Sequence, residues 1–284
     1  MTQILNGKEV AESIINRLAD DIKSMSVKPG LAVILVGDNP ASQVYVSSKK
    51  KTCEKMGMAS FEYILPATTT EEDLIDVIVD LNQNPDVHGI LLQLPLPKGL
   101  DSDKMLSLIS AEKDVDGFHP ISVGKLLQGL PTFKSCTPFG VMEILKYYGI
   151  SPEGKHVVII GRSNIVGKPL AAMMLSESAT VTICHSKTQN LEEITRQADI
   201  LCAAIGRPNF VTASMVKPGA VVIDIGINRV TDASTEKGYR IVGDVDYAQV
   251  APIASAITPV PGGVGPMTIA MLMTNTVFSA KQVH

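Results

Sequence analysis

Short, wholly apolar runs alternate along this chain with stretches whose apolar residues recur at helical spacing, and that alternation limits the fold more than any other feature. Residues 7–26 place Val10, Ile14, Leu18, Ile22 and Met25 on one helical face. The run Leu31-Ala32-Val33-Ile34-Leu35-Val36 then ends in Gly37 with no polar face, as in a strand buried on both sides of a parallel sheet. A helix over 41–56, a strand near 60–65, a helix opened by Thr70 with Glu71, Glu72 and Asp73, and a strand over 89–94 continue the rhythm. Parallel strands joined by helices carry those helices on both faces of the sheet, so a three-layer α/β domain is expected here.

After a looser stretch over 111–137 the rhythm restarts, with a helix over 139–148 and strands over 156–160, 179–184, 200–204 and 220–225. The domain boundary is expected near residue 137, with a three-layer α/β domain over 1–137 and a second, Rossmann-like α/β domain over 138–265. A last helix, 266–284, opens with Gly265-Pro266 and carries the stripe Met267, Ala270, Met271, Thr274, Val277, Phe278, which must bury against something.

Composition narrows the partners. A length of 284 residues suits two domains. A net charge of -4 makes no broad positive field, and 4% aromatics without Trp offer no base-stacking platform, so nucleic acid is not an expected partner. No apolar run approaches the roughly 20 residues that cross a bilayer, and the N-terminus lacks the apolar core of a signal peptide. Cys53, Cys136, Cys184 and Cys202 are scattered without metal-ligand spacing, which reads as reduced thiols, three of them buried, with no metal site and a cytoplasmic address.

The segment Val157–Leu170 reads as strand, Gly-rich turn and helix, where a pyrophosphate meets backbone N–H groups at the helix N-terminus. Its match to the dinucleotide fingerprint is altered. Ser163 stands at the second glycine, and Gly167 falls one residue late, so an ordinary βα turn competes with a binding loop. The next strand ends in Cys184-His185-Ser186-Lys187-Thr188, without the acid that accepts from a ribose 2′-OH. Arg162, Ser186 and either His185 or Lys187 instead offer donors and cations for a 2′-phosphate, which favours NADP over NAD.

In the first half, Tyr45 and Lys49 share a helix face, while Lys50 and Lys51 point about 100° and 200° away, toward solvent. By itself the pair reads more simply as an exposed amphipathic helix with snorkelling lysines. Gln93 closes an apolar strand before Leu94-Pro95-Leu96-Pro97, so it either caps local backbone or faces a pocket at the strand's carboxyl end. In Lys113-Asp114-Val115-Asp116-Gly117, extended backbone would put the two carboxylates on one side, although Asp-Gly turn chemistry is the stronger reading. The loop Pro259-Val260-Pro261-Gly262-Gly263-Val264-Gly265-Pro266-Met267-Thr268 is too rigid and too Gly-rich for a casual linker.

Taken in order, these segments resemble the bifunctional methylenetetrahydrofolate dehydrogenase/methenyltetrahydrofolate cyclohydrolase family over essentially the whole chain. The resemblance implies that Lys49 is the catalytic lysine, Gln93 the residue that tunes it, Asp116 the carboxylate that orients the pterin and Tyr45 the aromatic along the p-aminobenzoyl part. It implies that Pro261 and Gly262 lie beside the folate. It places the cofactor phosphates at Gly161, Arg162, Ser163 and Ser186, and the nicotinamide half near Ile227 and Thr268. It further implies NADP as cofactor, a folate substrate in a cleft between the domains, a last helix returning to the first domain, and a homodimer. An NADP-dependent dehydrogenase of the shikimate or amino-acid type would leave the Pro259–Thr268 loop and the Tyr45–Lys49 pair unexplained. A non-catalytic dinucleotide-binding regulator would bind cofactor without turnover.

Overall fold

The computed structural model describes residues 1–235 and 238–282; the last two positions of the helix expected over 266–284 lie outside them. The chain divides into two compact units, one made of residues 13–136 with the chain from Ile269 onward, the other of residues 1–12 and 137–268.

Strand β1 (Gln3–Ile4) and helix α1 (Gly7–Lys23) open the chain. The first unit continues with β2 (Gly30–Val36), α2 (Pro40–Met56), β3 (Ala59–Leu65), α3 (Glu71–Gln83), β4 (Gly89–Leu92), α4 (Ser102–Leu108) and α5 (Pro120–Leu127). Its sheet runs β3-β2-β4, parallel throughout. All seven residues of β2 are buried, as a central strand covered on both faces requires. Thr70 accepts from the Asp73 amide at 3.2 Å while Asp73 accepts from the Thr70 amide at 3.1 Å, a reciprocal cap that fixes where α3 starts and contributes about 1 kcal/mol. Ala32, Ile34 and Val36 pack with Leu74 and Ile78 of α3 and with Ile90, Leu92 and Met105. Burying each of the larger side chains contributes roughly 1.5–3 kcal/mol.

Strand β4 stops two residues short of the expected 89–94. The Gln93 amide still donates to the Ile34 carbonyl at 2.8 Å, after which the chain turns through Leu94-Pro95. On the other side of β4, Ile90 donates to the Lys113 carbonyl at 2.8 Å and bridges to Asp114, drawing the Asp114–Gly117 turn alongside the strand.

The second unit contains α6 (Cys136–Tyr147) from Thr137 onward, β5 (His156–Ile160), α7 (Gly167–Ser176), β6 (Thr180–Cys184), α8 (Leu191–Thr195), β7 (Ile200–Ala203), β8 (Val221–Asp224), β9 (Asn228–Thr231), β10 (Tyr239–Val242), α9 (Tyr247–Val250) and β11 (Ala256–Ile257). Its six-stranded sheet is parallel in the order β1-β11-β8-β7-β5-β6. The order reverses at β5, so β6 and β7 leave it on opposite sides. In a doubly wound sheet a ligand crevice opens at that point, beyond the strands' carboxyl ends. The edge strand β1 and the antiparallel β9–β10 hairpin are too short and too mixed in polarity to stand out in the sequence.

Helix α10 (Val264–Gln282) begins before the expected Gly265-Pro266. The expected stripe was also too narrow. Leu272, Met273, Asn275, Thr276 and Ala280 are buried together with Met267, Ala270, Met271 and Val277, whereas Phe278 is 37% exposed and meets Phe133 edge to face. A helix apolar nearly all round belongs inside a protein rather than on its surface.

Candidate active site

Helix α2 buries Ser42, Val46, Lys49, Cys53 and Met56. That spacing of four, three, four and three residues is one helical stripe, and Lys49 sits in the middle of it. The lysine is 7% exposed, which corrects the reading of the Tyr45–Lys49 pair as an exposed face with snorkelling lysines. Tyr45, one turn earlier, is 46% exposed. Lys50 and Lys51 face solvent as expected, and Lys50 pairs with Glu62 on β3 at 2.7 Å.

Gln93 caps local backbone, one of the two roles open to it, and also meets Lys49. Its Nε2 donates to the Leu94 carbonyl at 2.8 Å, which orients the amide, and its Oε1 accepts from Lys49 Nζ at 2.7 Å. Asp116 lies in the turn beside β4, closed by the Gly117 amide donating to the Asp114 carbonyl at 3.0 Å. Gly117 holds φ +74, and a Cβ there would meet the Ser135 amide nitrogen at 2.6 Å, so the turn needs glycine on both counts. The two carboxylates of this segment differ in their surroundings. Asp114 is buried and accepts from the His119 amide at 2.7 Å, and burial raises its carboxyl from the ordinary 3.8 to about 7. Asp116 lies beside the Cys136 thiol and in the field of Lys49.

Burial pulls the Lys49 ammonium below the usual lysine range, and the negative charge of Asp116 opposes that pull. Asp116 is pushed up by the same burial and held down by Lys49. Cys136 is raised well above a free thiol by burial and by Asp116. Its Sγ donates to the Val115 carbonyl at 3.4 Å and accepts from Asn275 Nδ2 at 3.8 Å. The first unit thus holds a buried amine that binds its proton less tightly than an ordinary lysine, oriented by an amide and flanked by one carboxylate.

In the second unit a cleft of about 350 Å³ opens where the strand order reverses. Ile160, Gly161, Arg162 and Ser163 line it after β5, His185 and Ser186 after β6, and Ala204, Ile205, Arg207 and Phe210 after β7. Gly161 has φ +131, and a Cβ on it would meet the Ala204 carbonyl oxygen at 2.3 Å, so the turn can pass only without a side chain. Ser163 Oγ accepts from the Val166 and Gly167 amides at 3.1 and 3.3 Å. The first amide of α7, that of Gly167, is therefore partnered rather than bare. The Ser163 hydroxyl proton remains to be donated to a ligand oxygen. Among the described lining residues there are two arginines, a histidine and two serines but no carboxylate, which suits a phosphate-bearing dinucleotide. Among the described residues no group of three His, Cys, Asp or Glu side chains is placed to hold a metal.

The Pro259–Thr268 segment, helical from Val264, also belongs to the second unit. Gly262 has φ +104, and its carbonyl accepts from the Lys8 amide at 3.1 Å, while Pro261 is exposed. The Thr268 hydroxyl lies 3.2 Å from that of Thr137. Ile227 is 51% exposed, and neither it nor Thr268 lines the cleft.

Residues 5–116 match the family model described as tetrahydrofolate dehydrogenase/cyclohydrolase, catalytic domain, and residues 135–284 match the NAD(P)-binding domain of the same family. The chain belongs to the tetrahydrofolate dehydrogenase/cyclohydrolase family. It is 55% identical to a bifunctional protein FolD of Acetivibrio thermocellus, over 98% of this chain and 97% of the relative. It superposes on the bifunctional methylenetetrahydrofolate dehydrogenase/cyclohydrolase of Campylobacter jejuni with a TM-score of 0.95 and 51% identity, covering 100% of both chains. A Trypanosoma brucei methylenetetrahydrofolate dehydrogenase-cyclohydrolase, solved with NADP cofactor and an inhibitor, gives a TM-score of 0.94 at 38% identity over 99% of this chain and 98% of its own.

For this member of the family, Lys49, Gln93 and Asp116 form one cluster, and Gly161, Arg162, Ser163 and Ser186 line one cleft. Two residues at these sites escaped the sequence. Cys136 joins the cluster from a position far along the chain, with no spacing to betray it. Arg207 joins the cleft from the loop after β7, where the crevice rule for open α/β sheets could have found it. Among the described residues no helix is long and apolar enough to cross a membrane.

Proposed function

We propose that this chain oxidises 5,10-methylenetetrahydrofolate with NADP and then hydrolyses the 5,10-methenyltetrahydrofolate formed to 10-formyltetrahydrofolate. The observation that carries the reading is the buried Lys49 amine held against Gln93 Oε1 at 2.7 Å, with Asp116 beside it. Water adding to the cationic methenyl carbon releases a proton, and opening the ring requires proton transfer at nitrogen. An amine whose pKa burial has lowered is better able to accept and return such a proton than an ordinary lysine. A cationic ligand beside it lowers that pKa further. In this reading Gln93 aims the amine, Asp116 binds and orients the pterin, Tyr45 packs along the p-aminobenzoyl part, and Pro261 and Gly262 lie beside the folate.

NADP, when bound, accepts the hydride from the methylene carbon. The chain's own part in that step is binding and orientation. Gly161 lets the cofactor approach the backbone, and Arg162, Ser163 and Ser186 hold its phosphates. Ile227 and Thr268 serve the nicotinamide half. The catalytic domain is assigned to 1–137 and the dinucleotide domain to 138–265, with a homodimer in the cytoplasm as the working form. The lining of the cleft, cationic and without a carboxylate, supports NADP over NAD.

The deciding experiment is Lys49→Met, with both activities followed by absorbance. Hydrolysis of methenyltetrahydrofolate is expected to vanish while dinucleotide binding survives. Wild-type hydrolysis by the variant would end the assignment of Lys49.

A further inference from the structure

We infer that Arg207 is a further specificity-determining residue of the dinucleotide cleft, its guanidinium contributing to recognition of the phosphate on the adenosine 2′-position. The inference rests on the reading of that cleft as a dinucleotide site.

Three observations support it. Arg207 lines the same cavity as Arg162, His185 and Ser186, which adds a second arginine to it from the loop after β7. The side chain makes no ion pair among the described residues; its guanidinium carbon lies 4.6 Å from the centroid of the Phe210 ring. Its charge is therefore held over an apolar surface and left for a ligand.

The backbone beneath it is fixed by one buried carboxylate. Asp244, 0% exposed, accepts from the Ile205 and Gly206 amides through Oδ2 at 2.7 and 3.0 Å, and from the Arg207 amide through Oδ1 at 2.8 Å. Asn228 Nδ2 donates to the same Oδ1 at 2.8 Å, and the Asp244 amide is itself tied to Asp224 Oδ1 at 2.9 Å. Three consecutive amides on one carboxylate leave this loop little freedom up to Arg207. Only the side chain then needs ordering when a ligand arrives, which lowers the entropic cost of the contact. Asp244 acts here as a positioning residue. A planar fork on a fixed base matches phosphate oxygens in pairs.

The test uses the full chain and two probes, adenosine 2′,5′-bisphosphate and adenosine 5′-monophosphate, titrated calorimetrically. Arg207 is exposed, so Arg207→Ala does not threaten the fold. Arg207→Ala is expected to weaken the bisphosphate about tenfold, a change of about 1.4 kcal/mol, and to leave the monophosphate within about twofold. Arg207→Lys is expected to recover part of that loss, and the KM for NADP should rise at unchanged kcat. Equal weakening of both probes would reduce Arg207 to a stacking or loop-holding role and overturn the inference, as would no change in either. A wild-type chain that bound neither probe would overturn the dinucleotide reading of the cleft itself.

Discussion

Replacing Gln93 with Glu puts a carboxylate where an amide oxygen now accepts from Lys49 Nζ at 2.7 Å. The side chain keeps its length but gains a charge and loses the Nε2 donor that meets the Leu94 carbonyl at 2.8 Å, and the Lys49 pKa reads the charge. Opposite unit charges about 4 Å apart attract by ~1 kcal/mol in water and ~4 kcal/mol at an effective dielectric near 20. Lys49 is 7% exposed and Gln93 is half-buried, so the attraction falls at about 2–4 kcal/mol. At ~1.36 kcal/mol per unit, the Lys49 pKa rises by about 1.5–3 units, against the burial that now lowers it. The amine then stays protonated to higher pH and cannot accept the proton released by water. Hydrolysis of methenyltetrahydrofolate at neutral pH should fall by about 30-fold or more. The deficit should shrink as pH rises, because alkali restores the neutral amine. The assay follows loss of methenyltetrahydrofolate absorbance across pH 6 to 9, with the uncatalysed rate subtracted and NADP affinity as the control. The variant's acidic limb should move up by at least about 1.5 units. A limb left at the wild-type pH, with only a lower plateau, would refute the neutral-amine mechanism.

Two further predictions follow from the same geometry. Burial raises Asp114 from 3.8 to about 7, so the folded chain binds that proton more tightly than the unfolded one, and the group's contribution to stability falls as pH climbs between those values. Asp114→Asn removes this dependence, so its Tm relative to wild type should rise from pH 5 to pH 8 by about 5–10 °C, for roughly 3 kcal/mol of linkage; parallel melting curves would contradict it. Gly161→Ala forces a Cβ to within 2.3 Å of the Ala204 carbonyl at φ +131. That should destabilise the second unit by about 1–3 kcal/mol and abolish NADP binding while the Lys49 cluster still hydrolyses methenyltetrahydrofolate; calorimetric titration showing wild-type NADP affinity would refute it.

The strands were legible because their signal is local. The apolar run at 31–36 is buried along its length, and Thr70 caps α3 with the acids that follow it. The Gly161 turn also announced itself, since a residue of positive φ between a strand and a helix leaves glycine in the sequence. Part of the site was half-legible. Val46, Cys53 and Met56 mark the buried stripe of α2, and extending it reaches Lys49, but three consecutive lysines resemble a solvated face until the helix is packed.

The rest was decided by packing between segments distant in sequence. Asp116 acquires its partners from Lys49 on α2 and from Cys136 at the start of α6, and no spacing rule links those three positions. Ser163, which reads as a glycine substitute in a phosphate loop, proves to partner the first amide of α7 as well. Arg207 takes its place because Asp244 gathers the amides of its loop from 37 residues away. The sequence by itself determined the periodic elements and the residue types able to do the chemistry. Only the tertiary structure decided which charges are buried together, because desolvation and Coulomb energy depend on what surrounds a group in space rather than on its neighbours along the chain.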